Sequence, residues 1–157
     1  NLKKNYTKLK LSIFELMSDL SQKIIKDGEG LTKLSIINVI NAKNTNQAKN
    51  IAFSVANSPL VKTAISGEDA NWGRIIMAIG KTNEKINQNK IEVSFGKNIV
   101  CRGGSIYEKI NQSKLKKYMK NKQIEININL NNGNKSQTVY GNDLSHEYIR
   151  INADYRS

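Results

Sequence analysis

From residue 124 to residue 130 the chain alternates without a break. Ile124, Ile126, Ile128 and Leu130 are apolar, and Glu125, Asn127 and Asn129 between them are polar. A period of two sends successive side chains to opposite faces of an extended strand, so one face is built for burial and the other for polar surroundings. Such a strand needs partners in a sheet, and the sheet needs a layer over its apolar face. Asn132-Gly133 follows at once and suits the positive φ angles of a tight hairpin turn, which predicts residues 137–140 as the returning strand. A last strand is predicted over residues 147–151. There Ile149 and Ile151 would face the core, and Tyr148, Arg150 and Asn152 the opposite side.

The first half is richer in helix. Ser12-Ile-Phe-Glu15 fits a capping box, and Ile13, Leu16, Met17, Leu20 and Ile24 follow at helical spacing until Gly28 and Gly30 end the run. Residues 34–40, rich in Ile and Val, predict a strand. Ala48, Ile51, Ala52, Val55 and Ala56 mark a second helix with a small-residue face, broken at Ser58-Pro59. A third helix is predicted over residues 75–79, with Asp69 near its N-cap. Residues 81–90 read as a linker, and residues 91–95 and 99–102 as short strands split at Gly96. Ser105-Ile-Tyr-Glu108 is a second candidate capping box, opening a basic helix that runs to about Asn121. The fold class is therefore α/β, with a helix-rich first half and a mixed or antiparallel sheet with helices in the second.

A chain of 157 residues can bury one sizeable core, or hold one domain and a piece of another. Lys+Arg 25 against Asp+Glu 13 gives a net charge of +12, which raises a basic nucleic-acid-binding module as the alternative reading. The basic residues are spread out, however, with modest clusters only at residues 3–10 and 114–122. No RNA-binding aromatic signature, zinc spacing or Arg-rich arm accompanies them. A solvated basic surface explains them better. Cys101 is the only cysteine, so no internal disulfide forms, and a reducing, cytoplasmic setting is expected. No apolar run approaches the roughly 18 residues of a membrane helix. Asn1 in place of an initiator Met suggests a fragment or a processed chain.

Residue types alone point to little chemistry. His146 is the only histidine, which argues against multi-histidine metal sites and charge-relay arrangements, and reads as a surface residue. Cys101 precedes Arg102, which could lower a thiol pKa, yet a lone strand cysteine more often serves as a small buried apolar group. No phosphate loop is present, and neither a cofactor nor a metal is expected. Three places remain. Gly28-Glu29-Gly30 flanks an acid with two glycines that permit a sharp turn or close approach. Glu68-Asp-Ala-Asn-Trp-Gly-Arg74 holds the only Trp, and an N-cap, a core anchor and an internal ion pair would explain it. Near the C-terminus, Asn152 would be free to present its amide.

Together these strings resemble a known family. Asp27-Gly-Glu-Gly30, Leu31-Thr-Lys33, Asn57-Ser-Pro-Leu-Val-Lys-Thr-Ala64, Gly67-Glu-Asp-Ala-Asn-Trp-Gly-Arg74 and Ile151-Asn-Ala-Asp-Tyr-Arg-Ser157 are similar, in order and spacing, to ornithine acetyltransferase, a glutamate N-acetyltransferase of arginine biosynthesis. Val100-Cys-Arg102 and Gly141-Asn-Asp-Leu144 also fit. The resemblance runs from about residue 12 to the end. It implies one part of a larger two-chain α/β enzyme, made as a precursor that cuts itself and exposes an N-terminal Thr as nucleophile, activated by its own α-amine. Acetyl would pass from N-acetylornithine, or from acetyl-CoA in many members, through that Thr to glutamate.

The resemblance carries substrate-binding roles to Glu29, Asn152 and Ser157. It places residues 1–30 at the end of the nucleophile-bearing domain and residues 31–157 in a C-terminal domain, with residues 145–157 returning to the substrate site. Its partners would be the upstream segment of the same precursor, N-acetylornithine and glutamate, with no nucleic acid or membrane, in a heterotetramer of two chain types. The family's nucleophilic Thr, oxyanion donors and substrate-binding Lys find no match here, and Thr7 stands in the wrong context. Ala70 replaces a proline often found in the family. The chain alone is expected to be inactive.

Overall fold

The computed structural model describes residues 2–155, with side chains from residue 5 onward. Among the described residues, helices α1 (Leu2–Lys26), α2 (Thr45–Ala56), α3 (Pro59–Ser66), α4 (Trp72–Gly80), α5 (Gln112–Met119) and α6 (His146–Asp154) accompany six strands. These are β1 (Leu34–Ala42), β2 (Glu92–Phe95), β3 (Asn98–Arg102), β4 (Ser105–Ile106), β5 (Gln123–Asn129) and β6 (Lys135–Asn142). They form one sheet in the order β4-β3-β2-β5-β1-β6. β1 and β5 run parallel, and every other pair is antiparallel, so the expected mixed α/β architecture holds.

The alternation in β5 does what its period requires. Ile124, Ile126 and Ile128 are fully buried with Ile37, Val39 and Val93, and Ala48, Ile51, Ala52 and Val55 of α2 complete the same core. α3 and α4 add Val61, Ile65, Ile75, Ala78 and Ile79, and α5 adds Leu115 and Met119. The polar face of β5 is tied sideways. Asn127 accepts from Asn38 Nδ2 at 2.9 Å, and Asn38 Oδ1 in turn accepts from Thr138 Oγ1 at 2.8 Å. Hydrogen bonds across strands satisfy these amides, which would otherwise be costly on a half-buried face.

The hairpin expected at Asn132-Gly133 does not form, because β1 lies between β5 and β6. After β5 the chain keeps following β1, with Leu130 N donating to Ile40 O at 3.1 Å and Asn132 N to Asn41 O at 2.9 Å. It then crosses over the end of β1 at Gly133, where a Cβ would overlap the Ala42 carbonyl. Glycine is needed there for close approach and not for a hairpin turn.

Four local expectations are corrected. α1 begins ten residues before Ser12, since no breaker stands between Leu2 and Ser12, and the supposed capping box lies inside the helix. α3 was not expected: Pro59, which ends α2, occupies the first turn of the next helix, where its missing N–H costs nothing. The N-cap of α4 is Asn71, accepting from Arg74 N at 3.2 Å, and that of α5 is Asn111, accepting from Lys114 N at 2.9 Å. Ser105 instead starts β4, pairing with Arg102.

The predicted final strand is the helix α6. Ser145 caps it, accepting from Tyr148 N at 3.0 Å, and Glu147 pairs with Arg150 three residues on at 2.5 Å. Local capping and an i,i+3 pair outweigh a short Ile-x-Ile alternation.

Candidate functional site

α1 ends at Lys26 in a tight turn, with Leu31 N donating to Gly28 O at 3.3 Å. Gly30 has φ +65°, and a Cβ there would fall on the backbone of Tyr148 and Glu147. Only glycine lets the first turn of α6 lie this close. Ser145 fixes the contact: its hydroxyl donates to the Gly30 carbonyl and accepts from Tyr148 N. The structure thus brings residues 145–148 against the Gly28-Glu29-Gly30 turn.

The segment after the turn is held as firmly. Asp143, only 3% exposed, accepts from Thr32 N at 2.9 Å, Thr32 Oγ1 at 2.5 Å and Lys33 N at 3.0 Å. Its own N–H donates to Lys33 O at 3.1 Å. Lys33 is also buried, and its ammonium donates to Glu68 Oε1 at 3.2 Å, Met119 O at 2.9 Å and Asn121 O at 3.2 Å. Three acceptors meet its three donors, which is what a buried ammonium requires.

Glu29 sits on the outer side of this braced turn. It is exposed, with no hydrogen bond or ion pair among the described residues. Asn152 is exposed too, but its amide is engaged inside α6, Nδ2 donating to Tyr148 O at 2.8 Å. Asn152 therefore lies on a helix and does not present a free amide from a strand face. Ser157 lies outside the described residues.

Residues 67–74 serve the fold. Glu68, at φ +59°, pairs with Lys33 and not within its own string. Asp69 accepts from Asn71 Nδ2 at 3.0 Å, and Arg74 Nη1 donates to Leu60 O at 2.8 Å and Thr63 Oγ1 at 3.1 Å. Trp72 packs half-buried against the core. A cleft of about 560 Å³ opens between this string and α5, lined by Glu68, Trp72, Ile106, Leu115 and Lys116 among others.

Cys101 is fully buried, and burial pushes its thiol pKa up, with the nearby Glu92 charge acting in the same direction. Arg102 points elsewhere, its Nε 2.6 Å from Glu92 Oε2 and its guanidinium 4.8 Å from the Tyr107 ring centroid. His146 is exposed. Sequence reasoning missed the braces at Lys33, Asp143 and Ser145. An Asp two residues before a Ser that opens a helix is a usable local signal for Ser145 alone; the partners of the other two are more than 30 residues away.

The ArgJ family profile matches residues 1–157. Over 142 residues the chain is 44% identical to the arginine biosynthesis bifunctional protein ArgJ of Caulobacter vibrioides, covering 90% of this chain and 35% of that protein. Over 147 residues it is 42% identical to the protein of the same description from Gluconobacter oxydans, covering 94% and 35%. The crystal structure of arginine biosynthesis bifunctional protein argJ from Bacillus halodurans superimposes with a TM-score of 0.89 at 35% identity, over 95% of this chain and 70% of that one. The chain spans about a third of the length of these curated relatives.

Proposed function

This chain belongs to the ArgJ family, and on that premise we propose that it is the C-terminal portion of a glutamate N-acetyltransferase of arginine biosynthesis. The acetyl donor is N-acetylornithine, with acetyl-CoA as a further donor. The nucleophile is an N-terminal Thr carried by the part of the protein outside this chain and freed by self-cleavage. Its α-amine takes the hydroxyl proton as the oxygen attacks the acetyl carbonyl, and ornithine leaves with that proton on its amine. The amine of glutamate then attacks the Thr ester and restores the hydroxyl. No cofactor takes part. The setting is cytoplasmic, and the enzyme assembles from two copies of each chain type.

In this reading residues 1–30 finish the nucleophile-bearing domain and residues 31–157 form the C-terminal domain. Glu29 offers its carboxylate to the ammonium of the amino-acid substrate, and Asn152 and Ser157 line the same pocket from the tail. The observation that carries the reading is the seating of α6 on Gly30, beside Glu29, an exposed acid of that turn without a partner among the described residues. A carboxylate on a braced backbone is a pre-organised contact for a cation.

The test is acetyl transfer between N-acetylornithine and glutamate. The chain alone gives no turnover; combined with the rest of an ArgJ protein it does. Glu29→Gln then raises KM by roughly tenfold or more, the worth of one charge-assisted hydrogen bond, with a smaller change in kcat. Turnover by the 157-residue chain by itself would place the nucleophile inside it and overturn the assignment.

A further inference from the structure

The apolar side chains of α1 do not join the core. Leu9, Ile13, Leu16, Met17, Leu20 and Ile24 are between 48% and 74% exposed. At about 100° of rotation per residue all six fall within roughly 100° of arc, a continuous stripe along most of the helix. The side of α1 nearer the sheet is different: Ser18, Gln22 and Ile25 are half-buried there, and α1 meets β6. Lys8, Glu15, Asp19 and Lys23 occupy the flank between these two sides, with Asp19 and Lys23 paired at 2.8 Å. The stripe is therefore turned away from the sheet.

Its size decides what it is for. The six side chains expose on the order of 700 Å², more than the roughly 300–600 Å² of the largest apolar patch on an ordinary monomer and close to the ~800 Å² one partner buries in a standard interface. Leu11 and Phe14 are also exposed but stand outside the stripe; a continuous apolar stripe along a helix is built to be covered.

We propose that this stripe is the docking surface for the remainder of the ArgJ polypeptide, which presents an apolar face complementary to α1. The relatives are about three times as long as the matched region, so a large body of the same protein is available to cover it. The Bacillus halodurans chain likewise extends beyond the part that superimposes. A second copy of this chain is the poorer occupant, since pairing would bring together two bodies of net charge +12. The inference rests on the family reading above but not on its chemistry.

The test co-expresses the 157-residue chain with the portion of the Caulobacter vibrioides protein that it does not match. The expected result is a 1:1 complex in which the amides of residues 6–24 gain protection from hydrogen exchange. Leu16→Glu combined with Leu20→Glu weakens that complex at least tenfold, and the melting temperature of the isolated chain stays unchanged because both positions are exposed. Lys8→Glu, on the flank, has little effect. An unweakened complex with the double variant, no complex with the unsubstituted chain, or a dimer of the chain alone that the double variant dissolves would each overturn the proposal. Acetyl transfer, assayed on the same complex, reports separately. A complex without turnover rejects the catalytic reading and leaves the interface standing.

Discussion

The hydroxyl of Ser145 donates to the carbonyl oxygen of Gly30, across 115 residues of sequence, and the Ser145 Oγ itself accepts from Tyr148 N at 3.0 Å. One buried side chain thus caps α6 and clamps it to the turn that displays Glu29. Local structure and the candidate site depend on the same atom.

Ser145→Ala removes both bonds. A lost N-cap costs about 1 kcal/mol, and leaving the part-buried Gly30 carbonyl unpaired adds roughly 1 kcal/mol. Stability measured by urea unfolding falls by about 2 kcal/mol, and the amides of α6 exchange faster than those of β1 and β5. Ser145→Thr restores most of the loss. Unaltered α6 exchange in the Ala variant would show that the helix is held by something else.

Gly30→Ala tests the approach itself. A Cβ there meets the backbone of Tyr148 and Glu147, and φ +65° costs an L-residue about 1 kcal/mol before any overlap. Backbone cannot swing aside as a side chain can, so α6 must shift, and destabilisation exceeds about 2 kcal/mol. Gly80, at the end of α4 with nothing within 4 Å of its added Cβ, is the counterpart. Gly80→Ala is neutral or stabilising by up to about 1 kcal/mol. Thermal unfolding of the two variants gives shifts of opposite sign or very different size.

These sites show where sequence reasoning reached and where it stopped. Ile124, Ile126 and Ile128 reported their strand because alternation is a local property, and α2 was visible for the same reason. The strand order was hidden. Asn132-Gly133 satisfies the chemistry of a hairpin, and only the approach of Gly133 to the Ala42 carbonyl reveals that the chain crosses β1. α6 is hidden too, because Ile149 and Ile151 alternate over a window too short to separate a strand from a helix. At the candidate site, the turn around Glu29 was legible from its flanking glycines, where Gly30 takes φ +65° against α6. Lys33 and Asp143 were not, since a buried charge declares itself only through partners remote in sequence.

Asp143→Asn is the sharpest test of that buried bracing. The carboxylate accepts from Thr32 N, Thr32 Oγ1 and Lys33 N. An amide can keep its oxygen on the two backbone N–H groups, but its NH2 then faces the Thr32 hydroxyl, which must turn from donor to acceptor, and all three bonds lose the charge of the carboxylate. Bonds to a charged acceptor contribute roughly 1.5–3 kcal/mol each, so a loss of about 2–4 kcal/mol is expected. The melting temperature checks it, and a loss below about 0.5 kcal/mol would mean water replaces the carboxylate without penalty.

Cys101 gives the last prediction, and it concerns reactivity. The thiolate is the reactive form, and burial together with the Glu92 charge raises the thiol pKa, so the folded chain disfavours that form. Arg102 cannot reverse this, because its guanidinium is committed to Glu92 at 2.6 Å. With the folded pKa above the unfolded one, the stabilising contribution of the neutral thiol is complete below the unfolded value and is lost as pH rises through the folded value. Alkaline conditions therefore destabilise the fold slightly through this group and neutral pH does not. An aromatic disulfide reagent at neutral pH labels Cys101 at the rate of opening and not at the rate of a free thiol, a slowing of at least a hundredfold that denaturant abolishes. Because Cys101 is a filled position in the core beside Val93, Cys101→Ala costs about 1 kcal/mol of stability, and the reconstituted enzyme keeps its acetyl-transfer rate. A fast-reacting thiol in the folded chain, or a large loss of rate in the Ala variant, would return Cys101 to the list of chemical groups.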